Sequence, residues 1–156
     1  MKANYEKTQN QLNDKNAITI GLNADTSTTS TSAYQNIDLS LTKEISKVGT
    51  KLSLSDGKVL IGEGVSHVLV SGKIQTQGDS SAYGISIRKN TNSGVSDGYE
   101  GTPGNSWNQM TAPPILIPVV QGDIIKMTIY HNVSGTTKNV KAYNGFGTYL
   151  TVEVID

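Results

Sequence analysis

Val119-Val120-Gln121-Gly122-Asp123-Ile124-Ile125-Lys126-Met127-Thr128-Ile129-Tyr130 decides the fold class of this chain. A Gly-Asp pair bends the backbone, and Ile125, Met127 and Ile129 then alternate with Lys126, Thr128 and Tyr130. A period of two is the mark of a strand with one buried face. The closing stretch Thr148-Tyr149-Leu150-Thr151-Val152-Glu153-Val154-Ile155 repeats the pattern through Leu150, Val152 and Val154.

Working back toward the N-terminus, the same alternation recurs in Ile18, Ile20 and Leu22, in Ile37, Leu39 and Leu41, and in Leu52 and Leu54. It continues in Val59 and Ile61, Val68 and Val70, Tyr83, Ile85 and Ile87, and Ile115 and Ile117. The chain is therefore all-β, and about ten strands suffice for a two-sheet antiparallel sandwich. Asp56-Gly57, between Leu54 and Val59, predicts a two-residue hairpin, because both central positions of such a turn need positive φ. Asn144-Gly145 predicts the same before the last strand.

Residues 1–16 are polar and poor in large apolar side chains, and read as a flexible N-terminal arm ahead of a head domain over residues 17–156. Asp25 to Ser32 is a Ser/Thr-rich run expected to be a solvated loop. Asn90 to Pro114, rich in Gly, Asn, Ser and Pro, is expected to be a long loop, functional or disordered, carrying Tyr99, Trp107 and Met110.

At 156 residues the chain is one domain, with no room for a second enzymatic unit. Thirteen basic and 13 acidic residues give a formal charge of zero, which offers no global attraction to nucleic acid or an anionic membrane. No apolar run approaches the roughly 20 residues that span a bilayer. The N-terminus lacks the apolar core of a secretory signal, so the expectation is synthesis in the cytoplasm. Without cysteine there is neither a disulfide framework nor a thiolate metal site. From Gly101 to Gly122 no residue is charged.

Three stretches together carry a resemblance: the Gly122-Asp123 turn into the strand ending at Tyr130, the strand end Ile87-Arg88-Lys89-Asn90, and the run from Phe146 to Val152. In these the chain resembles the jelly-roll heads of the tumour necrosis factor and complement globular-head type, including versions on bacteriophage fibres and bacterial surfaces. The likeness spans residues 33–156. It implies a jelly roll that assembles as a homotrimer, with Tyr143, Phe146 and Tyr149 as the trimer contacts. The chain departs from the family in its single Phe and in having no collagen-like repeat upstream. Its cysteine-free, Ser/Thr/Asn/Gly-rich composition looks more like a phage or prophage structural protein than an animal signalling ligand, associated with the virion or the bacterial surface.

No pattern in the chain supplies a catalytic centre. Gly94-Val95-Ser96-Asp97-Gly98 matches a nucleophile elbow only as letters, since no apolar strand before it or helix after it is visible. His67 and His131 have no second ligand at i+2 or i+4 and are expected at strand surfaces or interfaces, so no metal is assigned. Asp79, Asp97 and Glu100 lack the spacing of a calcium loop. Gly62-Glu63-Gly64 and Gly145-Phe146-Gly147 precede no helix that could receive a phosphate. No cofactor is implied.

Trp107 is the sharpest single residue. With Tyr99 nearby and Asn105, Asn108 and Gln109 beside it, the indole has the chemistry to stack on a sugar while amides meet its hydroxyls. The competing reading is that Trp107 plugs the end of the sandwich or the trimer seam. The expected function is that of a fibre or receptor-binding head engaging a host-surface glycan or another virion protein. The alternatives are a purely structural capsid or baseplate decoration protein and, further off, a carbohydrate-processing enzyme with two converging carboxylates.

Overall fold

The computed structural model describes residues 15–78, 83–90, 93–97 and 107–155. In chain order the strands are β1 (Ala17–Gly21), β2 (Thr26–Thr29), β3 (Gln35–Asp38), β4 (Lys43–Val48), β5 (Leu52–Ser55), β6 (Lys58–Ile61) and β7 (His67–Gly78). They continue as β8 (Tyr83–Lys89), β9 (Ser93–Asp97), β10 (Trp107–Pro118), β11 (Ile124–His131), β12 (Thr137–Val140) and β13 (Tyr149–Val154). A single 3-10 turn, Tyr143–Gly145, lies between the last two.

These strands form two antiparallel sheets. The 7-stranded sheet runs β2-β12-β7-β13-β1-β4, with β10 also paired to β7. The 6-stranded sheet runs β5-β6-β11-β8-β9, with β3 also on β11. Both sheets have one strand long enough to hold two neighbours end to end. Strand β7 pairs β13 from Val68 to Lys73 and β12 from Thr76 to Gly78. Strand β11 pairs β6 through Ile124 and Ile125, and β3 from Thr128 to His131.

The core lies between the sheets and consists of the residues that alternation points inward. Ile18, Ile20, Val68, Val70, Ile74, Ile117, Leu150 and Val152 come from one sheet. Leu52, Val59, Ile61, Tyr83, Ile85, Ile87, Ile125, Met127 and Ile129 come from the other, and all are buried. Ile37, Leu54, Ile115 and Val154 pack against them at the rim. At the centre the sheets approach so closely that a Cβ on Gly72 would meet Met127 Sδ at 2.7 Å. Asp56 (φ 48) and Gly57 (φ 72) make the expected two-residue hairpin, with Ser55 opposite Lys58.

Four segments differ from the sequence reading. The Ser/Thr run expected as a loop contains β2, an edge strand whose hydroxyls replace apolar alternation. Ser27 Oγ donates to Asn139 Oδ1 at 2.6 Å, and the Thr29 and Thr137 hydroxyls meet at 2.9 Å. Strand β4 has only Ile45 and Val48 as apolar side chains and is held by backbone pairing to β1. The long loop from Asn90 to Pro114 contains β9 and the first half of β10; a register shift between Ala112 and Ile115 absorbs Pro113 and Pro114. Asn144-Gly145 does not form a two-residue hairpin, because Tyr143 joins it in a longer left-handed turn.

Candidate functional site

The turn before the last strand is a tightly constrained feature of the surface. Tyr143 (φ 42), Asn144 (φ 56) and Gly145 (φ 91) are three successive residues in the left-handed region. For a tyrosine this conformation costs about 1–3 kcal/mol and persists only where the surroundings enforce it. Here they do. The N–H groups of Gly145 and Gly147 both donate to Ala142 O, at 2.8 and 3.0 Å, and Phe146 N–H donates to Tyr143 O at 3.0 Å. From below, the Asp25 carboxylate accepts from Ala142 N–H at 2.8 Å and from Lys141 Nζ at 3.0 Å. Those two donors, the backbone amide first, hold the Asp25 carboxyl below its ordinary pKa. Gly145 also packs where a side chain has no room, since its Cβ would meet Ile45 Cδ1 at 2.7 Å.

The result is a rigid mount for exposed aromatics. Phe146, the only Phe of the chain, is 65% exposed and Tyr143 is 48% exposed. Tyr149 is half-buried at the start of β13. Lys73 links the turn to the sheet: its Nζ donates to Phe146 O at 3.4 Å and lies 5.9 Å from the centroid of the Tyr149 ring. Tyr143, Phe146 and Tyr149, expected as trimer contacts, thus border one edge of the outer face of the 7-stranded sheet.

That face is built in rows across the strands. Thr19, Thr151 and Ser71 form one row, Tyr149, Lys73 and Thr111 a second, and Glu153, Leu69 and Leu116 a third. Hydroxyls and aliphatic groups dominate, and Leu116 is 53% exposed.

The residues expected to hold a sugar are placed less compactly. Tyr99, Asn105 and the Trp107 side chain lie outside the described residues. Trp107 opens β10 opposite Gln77, with Asn108 opposite Thr76 and Gln109 opposite Gln75. Because a strand alternates, Asn108 shares the face of buried Met110 while exposed Gln109 lies on the other. The two amides are therefore not brought together.

His131 departs from the surface position expected of it. It is completely buried, with Nε2 at 2.8 Å from Thr28 Oγ1 and Nδ1 at 2.9 Å from Thr136 Oγ1. His67 is exposed, with Nδ1 at 3.1 Å from Ser66 Oγ. Among the described residues no group of three or more His, Asp or Glu could hold a metal ion. Among the described residues no helix is long and apolar enough to cross a membrane.

Sequence reasoning missed a buried polar end of the sandwich, where the Lys138 ammonium lies 5.3 Å from the Tyr83 ring centroid. It also missed the stacked pair Tyr34 and Tyr130, whose ring centroids are 6.3 Å apart. Tyr34 is flanked by Ala33 and Gln35 and belongs to no alternating run, which is why no signal pointed to it.

No family model matches the chain, and no curated protein matches it by sequence. Solved structures do match by fold. Murine APRIL at pH 5.0 superposes with a TM-score of 0.68 at 12% identity, over 91% of this chain and 100% of that one. The Eiger TNF structure from S. frugiperda superposes at 0.64 and 9% identity, over 91% and 93%. At such identities the likeness concerns the fold, and the chain has the jelly-roll fold of the tumour necrosis factor type.

Proposed function

We propose that this chain is the homotrimeric head of a phage or prophage fibre, or of a related surface adhesin, and that it works by binding rather than by catalysis. The observation that carries the reading is the outer face of the 7-stranded sheet. It is rich in hydroxyl and aliphatic groups and continuous with an aromatic turn that the fold holds in a strained conformation. A strained backbone that displays two exposed aromatics has a cost with no return in a free monomer, and association with two further copies supplies one. The resemblance read from the sequence implies the same arrangement.

In this reading the other end of β10, with the residues from 90 to 109, engages a neutral host-surface glycan or a second virion protein. The arm read over residues 1–16, of which 1–14 lie outside the described residues, attaches the head to its particle. A glycan array probed with the wild-type chain and with Trp107→Ala tests the binding half of the reading. Binding to one class of neutral glycan that falls about 10-fold in the variant, a loss of about 1.4 kcal/mol, supports it. Equal array binding by both proteins, with a lowered melting temperature in the variant, makes Trp107 a packing residue and removes the glycan from β10; no array binding by either protein favours a purely structural decoration protein.

A further inference from the structure

A cleft of about 450 Å³ opens between β2 and β3, at the edge where the two sheets part. Its volume lies within the roughly 300–1,000 Å³ of small-molecule sites. The half-buried Ile37 gives it apolar surface, backed by the buried Leu22 and Leu39. Asp25, Asp38 and Ser40 line it with oxygens.

The two carboxylates are fixed before any ligand arrives. Lys126 Nζ donates to both oxygens of Asp38, at 2.8 and 3.0 Å, and Lys58 Nζ stands 3.9 Å from the same carboxylate. Asp25 is held by Lys141 and the Ala142 amide. Three lysines thus compensate two carboxylates, so the cleft has no excess negative charge with which to select a cation. Yet the Asp38 side chain remains 48% exposed and that of Asp25 54% exposed, which leaves acceptor lone pairs available. Oriented, charge-compensated carboxylates beside hydroxyls and above an aliphatic floor suit a ligand that is neutral, rich in hydroxyls and apolar on one face.

We infer that this cleft is a binding site for a neutral pyranose, with the ring's apolar face on Ile37 and its hydroxyls donating to Asp25 and Asp38. The site lies apart from β10 and needs neither Trp107 nor the trimer, so it stands whether or not the glycan reading of β10 holds.

The test is a titration of the full chain, labelled with nitrogen-15, with the methyl glycosides of glucose, galactose and mannose. At least one should bind with Kd of about 1 mM, which corresponds to about 4 kcal/mol, and should shift the amide signals of Ile37, Asp38 and Ser40. Ala24 is exposed, lines the cleft and makes no side-chain hydrogen bond that the substitution would remove, so Ala24→Arg fills cleft space without disturbing the core. This variant should lose the shifts while keeping its melting temperature, and Trp107→Ala should keep them. The inference is overturned if no glycoside moves these signals, if the shifts persist in Ala24→Arg, or if methylamine moves them while the sugars do not.

Discussion

The side-chain amide of Asn90 donates to the Asp123 carboxylate at 3.1 Å, across 33 residues of sequence. Asn90 Oδ1 in turn accepts from Ile124 N–H at 3.0 Å, and Asp123 Oδ2 accepts from Val120 N–H at 3.0 Å. The Gly-Asp turn and the Ile-x-x-Asn strand end, two separate motifs in the sequence, are one joint in the fold. The joint closes the end of the β8–β11 pair and sets Asn90 at φ 56, which asparagine tolerates better than most residues.

This predicts an ordering of variants at position 90. Asn90→Ala removes both side-chain bonds and strains the backbone, and should lower stability by about 1–3 kcal/mol. Asn90→Gly removes the bonds but accepts the conformation, and should cost less. Urea unfolding measures both, and equal losses would remove the backbone from the account.

Acid should loosen two joints together. The Val120 amide, followed by Asn90 and Lys89, lowers the Asp123 pKa, and Asp25 is lowered by Ala142 and Lys141. A depressed carboxyl contributes stability above its unfolded pKa of about 3.9 and loses it as pH falls through the lower folded value. Asp25→Asn combined with Asp123→Asn should therefore flatten the decline of stability below about pH 4 while lowering stability near neutrality. Melting temperature followed from neutral to acid pH checks this.

At the strained turn, Gly145→Ala faces both a positive φ and the Ile45 side chain, and should cost about 1–3 kcal/mol. Gly122→Ala, at φ 91 but with open space around it, isolates the backbone contribution and should cost less. Thermal unfolding of the pair separates crowding from conformation.

Asn16, read from the sequence as the end of the arm, is buried against the sandwich. Its Oδ1 accepts from Thr50 N–H and Lys51 N–H, each at 3.0 Å, and its backbone oxygen accepts from Val154 N–H at 2.8 Å. Removing residues 1–14 should leave the melting temperature nearly unchanged. Asn16→Ala should lower it by about 2–8 °C, as expected for roughly 1–2 kcal/mol in a domain of this size.

The apolar alternation exposed the core because only residues with one buried face need it. Ile125, Met127 and Ile129 were legible for that reason, and β2 and β4 were not. Strand β2 is held by a ladder of Ser and Thr hydroxyls, and β4 by its pairing with β1, so neither needs an apolar stripe. The aromatic turn was legible as residues but not as a conformation, since its left-handed run depends on Asp25, which is 117 positions away from Ala142. The cleft was not legible at all. Asp25 lies just before β2 of one sheet and Asp38 ends β3 of the other, and nothing local announces that both line one cleft.

The most direct test of the central claim is sedimentation equilibrium of the wild-type chain and of Tyr149→Glu at micromolar concentration. A wild-type species of three chains, with a folded Tyr149→Glu that sediments as one, is the predicted result. A wild-type chain that stays monomeric on concentration, or a Tyr149→Glu that remains trimeric, would contradict the assignment of this face.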